Sequence, residues 1–197
     1  FPSGMSAIMA LMTILRKNIK PRLILIGLVY SDTYSLLMTS GRFFTSDSVF
    51  LSLNELDRLP EFLAQDTAMV ITETITNPLC EVPDLERIGK LANAKGVPFV
   101  VDNTLASPVN CQPIDWGADY VIHSTTKYLS GTNDHAGGVI LVKSPENAQV
   151  LMNFQRNWRL EISPLETKVL LQRMDDFQDR MLRFNKNNLA IAHFLEA

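Results

Sequence analysis

Hydrophobic and polar positions along the chain form two recurring patterns. The first is a helical stripe over residues 4–17, with apolar side chains at Met5, Ile8, Met9, Met12 and Leu15. Their spacing of three to four positions predicts an amphipathic helix. The second is the unbroken apolar run over residues 23–30 (LILIGLVY). Such a run is typical of a parallel strand that is covered on both faces.

The two patterns then alternate. Five further stretches have strand character: residues 49–53, 68–72, 98–102, 120–123 and 138–142. Helical spacing lies between several of them, over residues 54–63 and over residues 85–95. Strands separated by helices predict a series of βαβ units, and therefore an α/β fold with a mostly parallel sheet.

The last part of the chain is helical. Pro164 opens an amphipathic pattern that runs without a visible break beyond Phe184. We therefore expect an α/β domain over residues 1–160 and one long helix over residues 161–197. Because the sequence begins without Met and ends inside this helical pattern, we also expect it to be a piece of a longer protein.

Composition removes several classes of function. With 46% hydrophobic residues among 197, the chain can bury a core, so global disorder is excluded. The 18 Lys and Arg against 21 Asp and Glu provide no basic field for nucleic acid. The longest apolar run is far shorter than the roughly 20 residues that cross a bilayer. No signal peptide is visible, which favours a cytoplasmic protein without membrane or nucleic-acid partners.

Cysteines and histidines give no metal or disulfide pattern. Cys80 and Cys111 are the only cysteines, and they do not stand at a zinc-ligand spacing with any of the three histidines. We therefore expect no metal. The aromatic side chains of Phe43, Phe44, Trp116 and Trp158 favour core or interface positions, because no basic stripe accompanies them.

Unusual polar residues follow two of the predicted strands. Asp102 ends the run 98–102, where a loop-capping carboxylate and a ligand contact are equally well supported. The next strand is followed by Ser124-Thr125-Thr126-Lys127, which on its own could be a solvated turn with a surface lysine. In α/β sheets, however, ligands bind at the carboxyl ends of strands.

Together these residues supply the parts of a pyridoxal-phosphate (PLP) site. The cofactor needs a lysine for a Schiff base, held in a pocket where burial lowers its pKa, and a carboxylate against its ring nitrogen. Its phosphate needs hydroxyls and a helix N-terminus. Ser3-Gly4-Met5, at the start of the first predicted helix, provides such a terminus.

Three segments carry a resemblance to a known family. Residues 100–140 (VVDNTLASPVNCQPIDWGADYVIHSTTKYLSGTNDHAGGVI) resemble the signature stretch of the PLP-dependent enzymes of Cys/Met metabolism. This family comprises cystathionine γ-synthases, cystathionine β- and γ-lyases and methionine γ-lyases. Residues 73–88 (ETITNPLCEVPDLERI) and residues 1–8 (FPSGMSAI) are similar to two further segments of the same family.

The resemblance implies a fold and an activity. The fold is an aspartate-aminotransferase-like (fold type I PLP) large domain, α/β with a mostly parallel sheet flanked by helices. The activity is PLP-dependent elimination or replacement at sulfur amino acids or homoserine esters, as lyases and transferases of transsulfuration and methionine biosynthesis perform it. The assembly is a homotetramer built from dimers. The family's N-terminal arm, which reaches a neighbouring subunit's phosphate, and its C-terminal domain are both absent from this sequence.

The resemblance also implies roles for individual residues. Lys127 forms the Schiff base and moves protons, and Asp102 pairs with the ring nitrogen. The phosphate would be held by four residues: Gly4, Met5, Ser124 and Thr126. The remaining matches are Asn77 at the ring hydroxyl, Tyr34 stacked on the ring and active in acid–base steps, and Ser163 near the lysine and the substrate carboxylate.

Some of these matches have alternatives. Asn77 could be a turn residue before Pro78, and Ser163 could be a helix cap. Tyr34 is followed by Ser35 and Leu36 where the family usually has two glycines. These departures leave open a second hypothesis, a non-catalytic PLP-fold scaffold or binding protein.

Overall fold

The computed structural model describes residues 1–16, 22–39 and 47–196 and has a six-stranded sheet at its centre. The strands are β1 (Arg22–Ile26), β2 (Asp47–Leu51), β3 (Thr67–Glu73), β4 (Phe99–Asp102), β5 (Tyr120–Ser124) and β6 (Gly138–Val142). Their order across the sheet is β2-β1-β3-β4-β5-β6. Strands β1 to β5 all run parallel to one another, whereas β6 pairs antiparallel with β5. The predicted mostly parallel α/β sheet is therefore confirmed. Phe43 and Phe44 lie outside the described residues.

Helices cover both faces of the sheet. They are α1 (Gly4–Leu15), α2 (Ser31–Tyr34), α3 (Leu59–Phe62), α4 (Leu85–Ala94), α5 (Ser107–Asn110), α6 (Pro145–Asn157), α7 (Pro164–Arg173) and α8 (Phe177–Glu196). Two short 3₁₀ segments, Leu53–Arg58 and Pro113–Trp116, and two π-helical segments, Ser35–Thr39 and Thr125–Leu129, complete the fold. No helix within the described ranges has the length and apolar character needed to cross a bilayer.

Strand β1 shows why an unbroken apolar run indicates burial on both faces. Leu23 and Leu25 pack in one hydrophobic layer, with α1, whereas Ile24 and Ile26 pack in the opposite layer, with α4. Successive side chains of a strand point to opposite faces, so both sets must be apolar. The strand ends at Ile26, four residues before the end of the run. Gly27, with φ of 71°, turns the chain there.

Two predicted helices are shorter than their sequence patterns. The pattern beyond Pro164 is two helices, α7 and α8, separated at residues 174–176. Asp175 and Asp176 are poor helix-interior residues, whereas aspartate is favoured where a helix begins. The predicted helix over residues 54–63 is a 3₁₀ segment followed by the single turn α3, in which Pro60 lacks the N–H needed to continue a longer helix.

The two tryptophans are surface residues. Trp116 is 46% exposed and Trp158 is 65% exposed, so of the two expected places, core or interface, the core is wrong for both. Trp158 stacks on Phe154, with ring centroids 5.5 Å apart. Phe154 in turn packs against the hydrophobic core, whereas most of Trp158 stays accessible.

Candidate active site

A cavity of about 500 Å³ opens at the carboxyl ends of the parallel strands. Its wall includes Tyr30 beyond β1, Glu73 at the end of β3, Asp102 at the end of β4 and Ser124 at the end of β5. Seven of the residues proposed from sequence line it: Gly4, Met5, Asn77, Asp102, Ser124, Thr126 and Lys127. Tyr34 and Ser163 do not line it. The described ranges contain no group of three or more His, Cys, Asp and Glu side chains that could hold a metal ion.

Asp102 combines the two interpretations that its sequence left open. Its Oδ1 accepts the backbone N–H of Thr104 at 2.9 Å and the Thr104 hydroxyl at 2.5 Å, which is a loop-capping arrangement. The same side chain lines the cavity. Burial raises the pKa of Asp102, and the two hydrogen bonds from Thr104 act in the opposite direction.

Thr104 also connects the ends of two strands. Its Oγ1 accepts the backbone N–H of Ser124 at 2.8 Å while its hydroxyl hydrogen is donated to Asp102. Thr104 thereby links the Asp102 carboxylate to Ser124, the last residue of β5 and the first of the hydroxyl cluster. A substitution at Thr104 would disturb both sides of the cavity at once.

Lys127 projects from an irregular turn. It lies in the π-helical segment Thr125–Leu129, where its ψ of −122° departs from helical geometry. Arg180 of α8 stabilises this turn, because it donates hydrogen bonds to the carbonyl oxygens of Tyr128 at 3.2 Å and Leu129 at 3.1 Å. The sequence context predicts a buried lysine, but Lys127 is exposed at the cavity wall.

The N-terminus of α1 meets the hydroxyl cluster at the other side of the cavity. Ser3 caps this helix, accepting the N–H of Ser6 at 3.0 Å. A Cβ atom added to Gly4 would lie 3.2 Å from Cβ of Ser124, so the close approach of helix and strand depends on glycine. Thr126 is fixed nearby, since its Oγ1 accepts the N–H of Gly137 at 3.2 Å. Amides of a helix N-terminus beside two hydroxyls form an anion-binding surface.

The tyrosine that lines the cavity is Tyr30, and the structure does not bring Tyr34 to it. Tyr34 is 40% exposed and packs edge-on against Phe50, with ring centroids 6.3 Å apart. It borders a separate shallow pocket beside Pro78. Tyr30, which ends the apolar run of β1, lines the main cavity. Its position at the end of the apolar run that begins in β1 is the sequence signal that could have identified it.

Asn77 and Ser163 have different surroundings. Asn77, joined to Pro78 by a cis peptide bond, is both a turn residue and part of the cavity wall. Ser163 caps α7, where its Oγ accepts the N–H of Glu166 at 3.1 Å. The helix-cap alternative therefore describes where the structure places Ser163.

A second carboxylate, Glu73, was assigned no role from sequence. It is only 6% exposed and stands beside Asp102 in the parallel register of β3 and β4. Its Oε1 accepts the backbone N–H of Tyr30 at 2.8 Å. Burial, with the charge of Asp102 as a smaller contribution, raises the pKa of Glu73 to about 7. An acidic residue at the end of a wholly buried strand is the sequence signal that could have identified it.

Aromatic side chains complete the cavity on the side of α8. Tyr128 follows Lys127 and meets Phe184 edge to face, with ring centroids 5.8 Å apart. Both residues line the cavity. The site therefore has a polar floor at the strand ends and an apolar wall that the last helix supplies.

Comparison with known proteins places this geometry in context. The model of a family described as "Cys/Met metabolism PLP-dependent enzyme" matches residues 1–197. A cystathionine gamma-synthase of Haemophilus influenzae is 35% identical over 100% of this chain and 53% of its own length. A cystathionine gamma-lyase of Bacillus subtilis is 32% identical over 100% of this chain and 51% of its own length.

Solved structures agree with the sequence relatives. The crystal structure of metB from Corynebacterium glutamicum superposes with a TM-score of 0.94 and 30% identity, covering 100% of this chain and 51% of the other. A cystathionine gamma-lyase from Lactobacillus plantarum, complexed with L-serine, gives a TM-score of 0.92 and 29% identity over 100% of this chain and 51% of that structure's chain. The chain thus spans about half the length of the relatives it matches.

Proposed function

Because the chain belongs to the family of PLP-dependent enzymes of Cys/Met metabolism, we propose that it carries the cofactor site of a lyase or transferase. The reaction would be elimination or replacement at a sulfur amino acid or a homoserine ester. One observation carries this proposal: Lys127, Asp102 and the N-terminus of α1 border the same cavity. These groups come from three separate parts of the chain, and the fold brings them together.

The residues present fit the cofactor chemically. The anion-binding surface of Gly4, Ser124 and Thr126 suits a phosphate. Asp102 lies in an environment that disfavours an isolated charge, and a cationic ring nitrogen beside it would offset that burial. When bound, PLP supplies an electron sink that stabilises negative charge at Cα of an amino acid.

Lys127 is the group best placed to move a proton. It stands at the cavity wall on a turn that Arg180 holds in place, so its amine can reach into the cavity while its backbone stays fixed. In this proposal the amine of Lys127 attaches the cofactor and later transfers the proton at Cα of the substrate.

Tyr30 takes the part in ring stacking that the sequence had suggested for Tyr34. Its aromatic ring is part of the cavity wall. A hydrogen bond with Asp32 raises the pKa of the Tyr30 hydroxyl. In this proposal Tyr30 offers the face of its ring to the cofactor.

The assembly and location are part of the same proposal. The family resemblance supports a homo-oligomer, a tetramer built from dimers, in which a neighbouring chain completes the phosphate site. It also supports a cytoplasmic protein that acts on a small amino-acid substrate. Mass measurement in solution with and without PLP tests the oligomer. A protein that is monomeric in both conditions and binds PLP fully would contradict the shared site.

The decisive experiment combines spectroscopy with a matched pair of lysine variants. PLP is added to the purified protein, the mixture is reduced with borohydride, and the modified residue is located by mass spectrometry. We expect attachment at Lys127, loss of attachment in Lys127→Ala, and full attachment in Lys143→Ala, since Lys143 follows β6 away from the cavity.

Turnover then identifies the reaction. The wild-type protein is assayed for thiol and keto-acid release from cystathionine, and for cystathionine formation from a homoserine ester and cysteine. Attachment at another lysine, or turnover that persists in Lys127→Ala, would overturn the proposed function.

A further inference from the structure

Glu73 occupies a position that is costly for a carboxylate. It is almost fully buried, and the parallel register of β3 and β4 sets it beside Asp102. Two neighbouring carboxylates in a poorly solvated site disfavour each other's charge. If Glu73 only filled space, an apolar side chain would fill it at lower cost. We therefore ask what its one hydrogen bond contributes.

That contact is the backbone of Tyr30. Oε1 of Glu73 accepts the Tyr30 N–H at 2.8 Å, across 43 positions of sequence. Tyr30 lies between the turn at Gly27 and the start of α2 at Ser31, where neither strand nor helix pairing fixes its N–H. Tyr30 as a whole residue is 46% exposed, so packing constrains it only in part.

We propose that Glu73 is a positioning residue, which holds the ring of Tyr30 at the cavity by accepting the Tyr30 backbone N–H. The inference rests on the proposed function, because Tyr30 is taken to stack on PLP. Glu73 does not itself need to touch the cofactor. Its effect passes through one backbone hydrogen bond, and this makes the inference separable from a general contribution to folding.

The test compares two substitutions of similar volume. Glu73→Gln keeps an oxygen acceptor and removes the charge, whereas Glu73→Met removes both. Thr72→Val is the matched control: Thr72 also links β3 to the β1 segment, through its hydroxyl to the Ile26 carbonyl at 2.8 Å, but it does not line the cavity. The readouts are PLP affinity and the near-ultraviolet circular dichroism contributed by Tyr30 in the apo protein.

We expect Glu73→Met to weaken PLP binding about tenfold, the effect of losing one positioning hydrogen bond. Glu73→Gln and Thr72→Val should stay within about twofold of wild type. In a Tyr30→Ala background, Glu73→Met should cause no further loss, because residues that act through one another are not additive. Glu73→Leu serves as the second variant should Glu73→Met not fold.

Two results would overturn the inference. Equal weakening by Gln and Met would show that the charge matters and the acceptor does not. A full further tenfold loss in the Tyr30→Ala background would show that Glu73 does not act through Tyr30. If wild type fails to bind PLP, the proposed function fails instead. The Tyr30 dichroism signal, expected to persist in Gln and to change in Met, then decides the positioning role alone.

Discussion

Replacing Glu73 with Gln should change how the stability of the fold depends on pH. The pKa of Glu73 is raised from its ordinary value of 4.5 to about 7, mainly by burial. The folded state therefore binds this proton more tightly than the unfolded state does. Between these two pKa values the folded protein carries more protons, so its free energy of unfolding must fall as the pH rises.

The magnitude follows from the size of the shift. One pKa unit corresponds to about 1.4 kcal/mol, so the shift of Glu73 amounts to about 3 kcal/mol when the pH passes through the whole window. Glu73→Gln carries no proton and lacks this contribution. The variant should gain stability relative to wild type, from nearly nothing at acidic pH to about 3 kcal/mol above neutral pH.

Stability must be compared between wild type and Glu73→Gln, because His123 also titrates over part of the same pH range. Burial lowers the pKa of His123 from 6.5 to about 4, so its effect has the opposite sign: stability is lost as the pH falls through this range. In wild type alone, the two residues partly cancel over their shared interval. His123 is present in both proteins, so its contribution disappears from the difference between them.

The assay is denaturant unfolding of the apo protein and of Glu73→Gln at several pH values. The slope with denaturant should be the same in both, which shows that the same surface is exposed on unfolding. The difference in free energy of unfolding should widen steadily between about pH 4.5 and about pH 7 and stay level above that. Two parallel stability curves would refute the reasoning, because they would mean that Glu73 holds no extra proton in the folded state.

Three further predictions, made with four variants, test the cavity itself. Asp102→Ala should lower exchange of the substrate's α-proton about a hundredfold and PLP affinity much less, because the phosphate contacts remain; near-normal exchange would identify Asp102 as a loop cap only. Gly4→Val should weaken PLP binding at least tenfold, because its side chain would meet Ser124; unchanged affinity in a titration would contradict the close approach. Tyr30→Ala should weaken PLP binding about tenfold while Tyr34→Ala should not, and the reverse order would identify Tyr34 as the tyrosine that stacks on the ring.

The fold was predictable because its signals are local. The unbroken apolar run of β1 follows directly from burial on both faces, and the same pattern recurs at β3 and β4. The ends of elements were less predictable. Gly27 ends β1 through a positive φ inside a run whose hydrophobicity continues, and the break at Asp175 and Asp176 interrupts a stripe that remains helical on both sides.

The candidate site was predictable where residues directly follow strands. Asp102 and Lys127 were identified from that rule and from the family resemblance, and both line the cavity. Tyr30 and Glu73 meet the same rule, since each stands at the end of an apolar run. The motif match at Tyr34 is imperfect, because Ser35 and Leu36 stand where the family usually has two glycines. The turn after β1 brings Tyr30 to the cavity instead.

Hydrogen bonds between strand ends, which no sequence pattern reveals, assemble the site. Glu73 accepts the N–H of Tyr30, Thr104 accepts the N–H of Ser124, and the N–H of Thr74 donates to the Asp102 carbonyl at 3.0 Å. In each case the donor is a backbone group, which every residue except proline provides. These links therefore survive replacement of the Tyr30 or Ser124 side chain. Substitutions there can report on contact with the cofactor. Glu73→Met, or an apolar residue at Thr104, instead removes an acceptor that links two parts of the cavity wall.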